Sequence, residues 1–154
     1  MPVTGIGPSV AAPSVLWAVA AGAATYFWPG WFAIRWPPYP ALLAAGAILL
    51  AVGIPLQMVA GRALWKAHQQ DRLITTGAYA LCRNPLYANI LLTLLPGAAF
   101  VCRSWLMLTA SVVMYVLVRI RIHREEEYLR RRFGQEYLDY CRRTNAIFPT
   151  IRRR

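Results

Sequence analysis

The sequence predicts an all-α, polytopic membrane protein: about four transmembrane helices plus cytoplasmic C-terminal amphipathic helices. Three observations predict it. Of the 154 residues, 58% are hydrophobic and only 15% are charged, against about 25% charged in an average soluble domain. Apolar runs occupy 14–28, 41–61, 85–101 and 105–120, close to the length that a bilayer core demands. The charge is also segregated, with 15 of the 17 Lys and Arg in 62–83 or 119–154 and all six acids after residue 70.

A net charge of +11 would suit nucleic acid. Here the basic blocks flank apolar runs, which is the pattern that meets anionic lipid headgroups, so no nucleic-acid partner is expected. Cys82, Cys102 and Cys141 are odd in number and scattered, which argues against a disulfide framework. His68 and His123 lie far apart and complete no zinc motif, so no metal site is expected. The lone Gly5-Ile6-Gly7 lacks a strand–helix context, so no soluble Rossmann site is expected.

The length suits one domain: two N-terminal spans over 1–61, a cytoplasmic loop over 62–84, a helical hairpin over 85–120 and cytoplasmic helices over 121–154. Residues 1–13 are small, Pro/Gly-rich and free of Lys and Arg, which reads as a loose or interfacial start without a signal-peptide n-region. The first run reaches spanning length only if extended back to Val10. Trp28, Trp31, Phe32, Trp36 and Tyr39 then form an aromatic belt. The second run is interrupted by Gly53 and Pro55, breaks that lipid tolerates where neighbouring helices repair the backbone. Only Cys102, Arg103 and Ser104 separate the third and fourth runs, so these form an antiparallel hairpin. The basic excess on one side places it in the cytoplasm, and four spans put both termini there.

The stretch 77–87 reads Gly-Ala-Tyr-Ala-Leu-Cys-Arg-Asn-Pro-Leu-Tyr. Pro85 suits a first helical turn and Asn84 an N-cap. The stretch therefore reads as a loop feeding a membrane helix, with Arg83, Tyr79 and Tyr87 at its mouth and N–H groups that attract anions. A capped helix start with a lipid-facing arginine is the plainer alternative.

Residues 119–143 read as one or two amphipathic helices, broken at Gly134. Arg121, Glu125, Leu129 and Phe133 fall on one stripe. Glu126 precedes Arg130 and Glu127 precedes Arg131 by four, as in solvated surface pairs. Glu125 meets Leu129 instead. A carboxylate on an apolar stripe needs satisfying, either by a structural pair with Arg121 or by a ligand. Tyr137, Tyr140 and Cys141 continue an apolar face, and Arg152–Arg154 suit lipid headgroups.

Two blocks taken together are more specific than either alone. One is Thr76-Gly77-Ala78-Tyr79 with Arg83-Asn84-Pro85-Leu86-Tyr87. The other is Arg121, Glu125-Glu126, Leu129, Phe133-Gly134, Glu136-Tyr137 and Tyr140. The arrangement, over roughly residues 57–150, resembles the isoprenylcysteine carboxyl methyltransferase and phosphatidylethanolamine N-methyltransferase superfamily of membrane methyltransferases. The resemblance implies that S-adenosylmethionine is held at the cytoplasmic face, framed by Arg83, Asn84 and Tyr87. It also implies that Glu125 and Glu126 contact its polar groups and that Arg121 lies near the acceptor. Asn84 stands where the family commonly has His, Ala78 where Pro is usual, and Asn89 where a small Gly is frequent.

Such a site needs position and electrostatics more than chemistry of its own. The methionyl carboxylate suits Arg83 and the helix start at Pro85. The ammonium suits Glu125 or Glu126. Tyr79, Tyr87 or Tyr137 can face the sulfonium or adenine. A carboxylate acceptor needs no base and is oriented by Arg121; an amine must first lose a proton, to His68 or Glu125. The acceptor is expected to be lipophilic and to enter from the bilayer. The expected activity is most like isoprenylcysteine carboxyl methylation. The alternatives are phospholipid amine N-methylation, an NADPH-dependent reductase resembling sterol reductases, and a non-enzymatic anchor.

Overall fold

A computed structural model describes residues 7–148. Its helices are α1 (Gly7–Phe27), the short α2 (Pro29–Phe32), α3 (Tyr39–Gln69), α4 (Pro85–Asn89), α5 (Leu95–Val101) and α6 (Trp105–Arg143). A 3-10 turn at Gly77–Ala80 precedes α4, and a π-helical turn at Ile90–Leu94 joins α4 to α5. The architecture is all-α.

Three helices, α1, α3 and α6, are long and apolar enough to cross a membrane. The third apolar run, Pro85–Val101, makes a shorter helix. At 1.5 Å per residue it reaches only ~25 Å, less than the ~30 Å of a hydrocarbon core. Three full-length candidates therefore stand where four spans are expected. Large apolar side chains face outward on the long helices, among them Leu16, Val19, Ile48, Val59 and Val112. That is the dress of an integral membrane protein, for which the outside is itself apolar.

Other boundaries also move. Residues 7–13 belong to α1 and are not a loose start. The polar loop expected over 62–84 begins later, because α3 continues to Gln69. Lys66 in its last turn complements the negative end of the helix dipole. The fourth span and the first amphipathic helix are one continuous element, α6. Its backbone departs from helical geometry at Gly134 (φ 52°, ψ −123°), where a residue without Cβ is at ease. Gly5-Ile6 and Arg152–Arg154 lie outside the described residues.

α1 packs along α6, and α3 packs along α5. The shared core is built of small and flexible side chains, such as Ala21, Ala99, Ala110, Met114 and Val118. Small residues set the spacing where no water drives association. A Cβ on Gly46 would stand 2.8 Å from the Gly97 carbonyl oxygen, so α3 and α5 touch backbone to backbone there. The hairpin turn is closed by Ser104, whose hydroxyl caps α6 by accepting from the Met107 N–H at 3.0 Å.

Candidate active site

The second half of α3 and the turn after it, the 77–87 stretch and the polar half of α6 line a cavity of about 450 Å³. A volume of that order is typical of small-molecule sites. Backbone pairing joins the 77–87 stretch to the segment that follows α6. The Arg83 N–H donates to the Asn145 carbonyl at 2.9 Å, and the Asn84 N–H to that of Ala146 at 3.1 Å. The Asn84 side chain donates to the same Ala146 oxygen at 2.9 Å. Asn84 thus sits at the N-cap position of α4 without capping it through its side chain.

Arg83 is largely committed. Nη2 meets Glu126 Oε1 at 2.7 Å, and Nη1 donates to the carbonyls of Cys141 and Thr144. Burial works against its charge, yet Glu126 outweighs burial and holds the guanidinium above its ordinary range. Its Nε is buried without a partner among the described residues. The donors expected to attract an anion are therefore largely used to bind the C-terminal segment. Glu126 likewise turns inward to Arg83 and does not form the expected surface pair with Arg130; Glu127 does pair with Arg131.

Glu125 stands apart. Its Oε2 accepts from the Tyr87 hydroxyl at 3.2 Å. No ion pair to it is found among the described residues, and the expected partner Arg121 instead donates to the Ser9 carbonyl at 2.7 Å. Burial pushes the Glu125 carboxyl above the usual carboxylate range, the Tyr87 hydroxyl works the other way, and nearby Glu126 adds to the rise. The contribution of this group to stability is fully present below the ordinary carboxyl range and is lost as pH rises through its raised value. A cation placed beside this carboxyl would favour its ionised form and offset the effect of burial.

Tyrosines form much of the wall. Tyr79, Tyr137 and Tyr140 are buried, and the Tyr140 hydroxyl donates to the Tyr79 carbonyl at 2.6 Å. Burial raises the Tyr79 and Tyr137 phenols and moves Tyr140 to about 12, so all three are neutral donors and π surfaces at physiological pH. Of the residues singled out from sequence, His68, Tyr79, Arg83, Asn84, Tyr87, Glu125, Glu126, Tyr137 and Tyr140 line the cavity. Pro85 is buried at the start of α4 and does not line it, and neither does Arg121. The stripe is thus split: Glu125, Leu129 and Phe133 face the cavity, while Arg121 holds α1.

Sequence reasoning missed a second side of the wall, contributed by the extension of α3 and the turn after it. Gln57, Trp65, Asp71 and Arg72 come from there. Asp71 forms an ion pair with Arg132, tying this turn to α6. The Arg72 side chain has no such partner among the described residues. The signal that could have found this wall is the run of good helix formers after Gly61, which keeps α3 going past the membrane surface.

The phospholipid methyltransferase family model matches residues 41–136. Among curated proteins, the chain is 32% identical over 111 residues to a nickel-cobalt-cadmium resistance protein of Alcaligenes xylosoxydans xylosoxydans, covering 68% of this chain and 52% of the relative. It is 30% identical over 135 residues to a protein-S-isoprenylcysteine O-methyltransferase of Rattus norvegicus, covering 82% and 46%. A cobalt-zinc-cadmium resistance protein of Cupriavidus metallidurans is 32% identical over 117 residues, covering 73% and 51%. The chain spans about half the length of these curated relatives. Among the described residues no three His, Cys, Asp or Glu side chains gather where they could hold a metal ion.

Proposed function

Since the chain belongs to the phospholipid methyltransferase family, we propose that it transfers a methyl group from S-adenosylmethionine to a lipophilic acceptor at the cytoplasmic membrane face. The observation that carries this reading is Glu125. A carboxylate partly buried among apolar and aromatic side chains, with one phenol donor and no cationic partner among the described residues, is suited to a cationic ligand. The family supplies such a ligand in S-adenosylmethionine.

The residues present fit that group. Glu125 would take its ammonium, the rings of Tyr79 and Tyr137 would face its sulfonium or adenine, and Arg72 would take its carboxylate, since the Arg83 Nη groups are already used. Arg83 and Glu126 then act by holding the loop against α6. The donor supplies a methyl group already activated for transfer. The chain supplies orientation, a neutral tyrosine wall, and exclusion of water from the reacting face. Isoprenylcysteine carboxyl methylation is the nearest specific activity, since isoprenylcysteine O-methyltransferases are among the relatives of the chain and a carboxylate acceptor needs no general base.

In the corresponding topology, α1, α3, the α4–α5 stretch and α6 all cross or enter the bilayer, and both termini face the cytoplasm, with the basic segments against anionic headgroups. Calorimetry on detergent-solubilised protein tests the proposal. Saturable S-adenosylmethionine binding that disappears in Glu125→Ala is the expected result. Absence of binding in the unaltered protein would sink it.

A further inference from the structure

One cavity-lining residue has its orientation set by a polar chain inside the apolar layer. Asn89 is buried at the end of α4. Its Nδ2 donates to the Gly53 carbonyl at 2.8 Å and to Gln57 Oε1 at 2.8 Å. Its Oδ1 accepts from the Thr93 hydroxyl at 2.8 Å. Gly53 is needed for this approach, since a Cβ there would stand 2.3 Å from Thr93 Oγ1.

The hydrogen bonds leave one arrangement. The Gly53 oxygen can only accept, so the Asn89 nitrogen must point at it. The second hydrogen of that nitrogen then meets Gln57, so Gln57 must turn its oxygen toward Asn89. What Gln57 has left is its Nε2 amino group, which is pure donor and has no partner among the described residues. Gln57 lines the same cavity as Glu125, on the opposite helix.

We propose that Gln57 is the residue that reads the acceptor: its Nε2 donates to a carboxylate oxygen of the lipophilic substrate, and Asn89 is the positioning residue that keeps the donor pointing that way. The inference rests on the methyl-transfer reading above. Polar groups at this depth are costly and persist where they line a path or a site. With its oxygen turned to Asn89, the amide presents its amino group to the cavity, so it favours an oxygen head group over an ammonium. Glu125 meanwhile provides the cation-attracting wall, so the two polar features divide the cavity by sign.

The test uses the 154-residue chain in nanodiscs. N-acetyl-S-farnesylcysteine and palmitate serve as carboxylate probes. S-farnesylcysteamine and hexadecylamine serve as their amine counterparts. The unaltered protein binds at least one carboxylate in preference to its amine. Gln57→Glu weakens carboxylate binding about 10- to 100-fold, the worth of a hydrogen bond to a charged group, and reverses the preference. Gln57→Leu and Asn89→Leu bring the two affinities together, whereas loss of packing alone would lower both alike. An unchanged preference in Gln57→Glu, or no carboxylate binding by the unaltered protein, overturns the proposal. S-adenosylmethionine affinity is measured alongside. Its absence with Gln57-dependent carboxylate binding intact ends the methyl-transfer reading and leaves the role of Gln57 standing.

Discussion

The two ends of the helical bundle handle polarity in opposite ways. At the tryptophan-rich end, arginine and aromatic donors are satisfied by main-chain carbonyls. Arg103 Nε donates to the Ile34 carbonyl at 2.8 Å, and the Ile34 N–H returns a bond to the Arg103 carbonyl at 2.9 Å. Tyr39 donates to Val101 at 3.1 Å and Trp105 to Trp31 at 3.0 Å. No acid falls in this end, and the bonds simply tie the loops and helix ends to one another. At the arginine-rich end, ion pairs close the walls of a cavity, and one carboxylate is left inside with only a phenol for company. Local polarity seals a membrane protein; polarity that the fold leaves unpaired is where a ligand has work to do.

The comparison can be broken or sharpened by mutation. The largest effect is expected for Arg83→Ala, which leaves Glu126 without its partner in a site where the two side chains keep 15% and 24% exposure. Removing one member of such a pair should cost about 3 kcal/mol, read as a lowered denaturation midpoint in detergent. Next comes Glu125→Gln, which should weaken S-adenosylmethionine binding by about 10- to 100-fold while Glu127→Gln leaves it nearly unchanged. Equal effects in calorimetry would erase the distinction between the buried acid and the solvated one.

The same contrast has a pH signature. A carboxyl raised by burial takes up its proton at higher pH than an exposed one, so cofactor affinity should fall earlier on acidification than an ordinary carboxylate would dictate. Glu125→Gln should flatten that dependence, and a titration by calorimetry between pH 5 and pH 8 in steps of about 0.5 unit would reveal it. Smaller again is Gly46→Ala, which forces apart the α3 and α5 backbones that both ends share, at about 1–2 kcal/mol. Smallest is Arg35→Ala at the tryptophan-rich end. Among the described residues its exposed guanidinium donates only to the Gly30 carbonyl, so stability should move by less than about 0.5 kcal/mol and cofactor binding not at all. A binding defect there would show the two ends to be coupled.

Much of this was legible in the chain because it depends on local pattern. The apolar runs, the three-residue hairpin link at 102–104 and the break at Gly134 each follow from hydropathy or backbone preference within a few residues. The odd place of Glu125 on its stripe is a matter of helical period. Arg121 shows the limit of that argument. It shares the stripe, but a helix as long as α6 meets different neighbours along its length, and at Arg121 the neighbour is α1. Glu126 shows the converse, since a residue with a suitable partner four positions away was drawn to a distant arginine instead.

By itself, then, the sequence determined the all-α class, the apolar helices and the two polar blocks, because periodicity and composition act over one or two turns. Only the tertiary structure decided that α3 runs on to build a cavity wall, that the C-terminal segment uses up the donors of the 77–87 loop, and that Asn89 aims Gln57. These outcomes are competitions among donors and acceptors far apart in the chain. A buried polar group takes whichever partner the packing brings within about 3 Å, and spacing along the sequence does not say which one that will be.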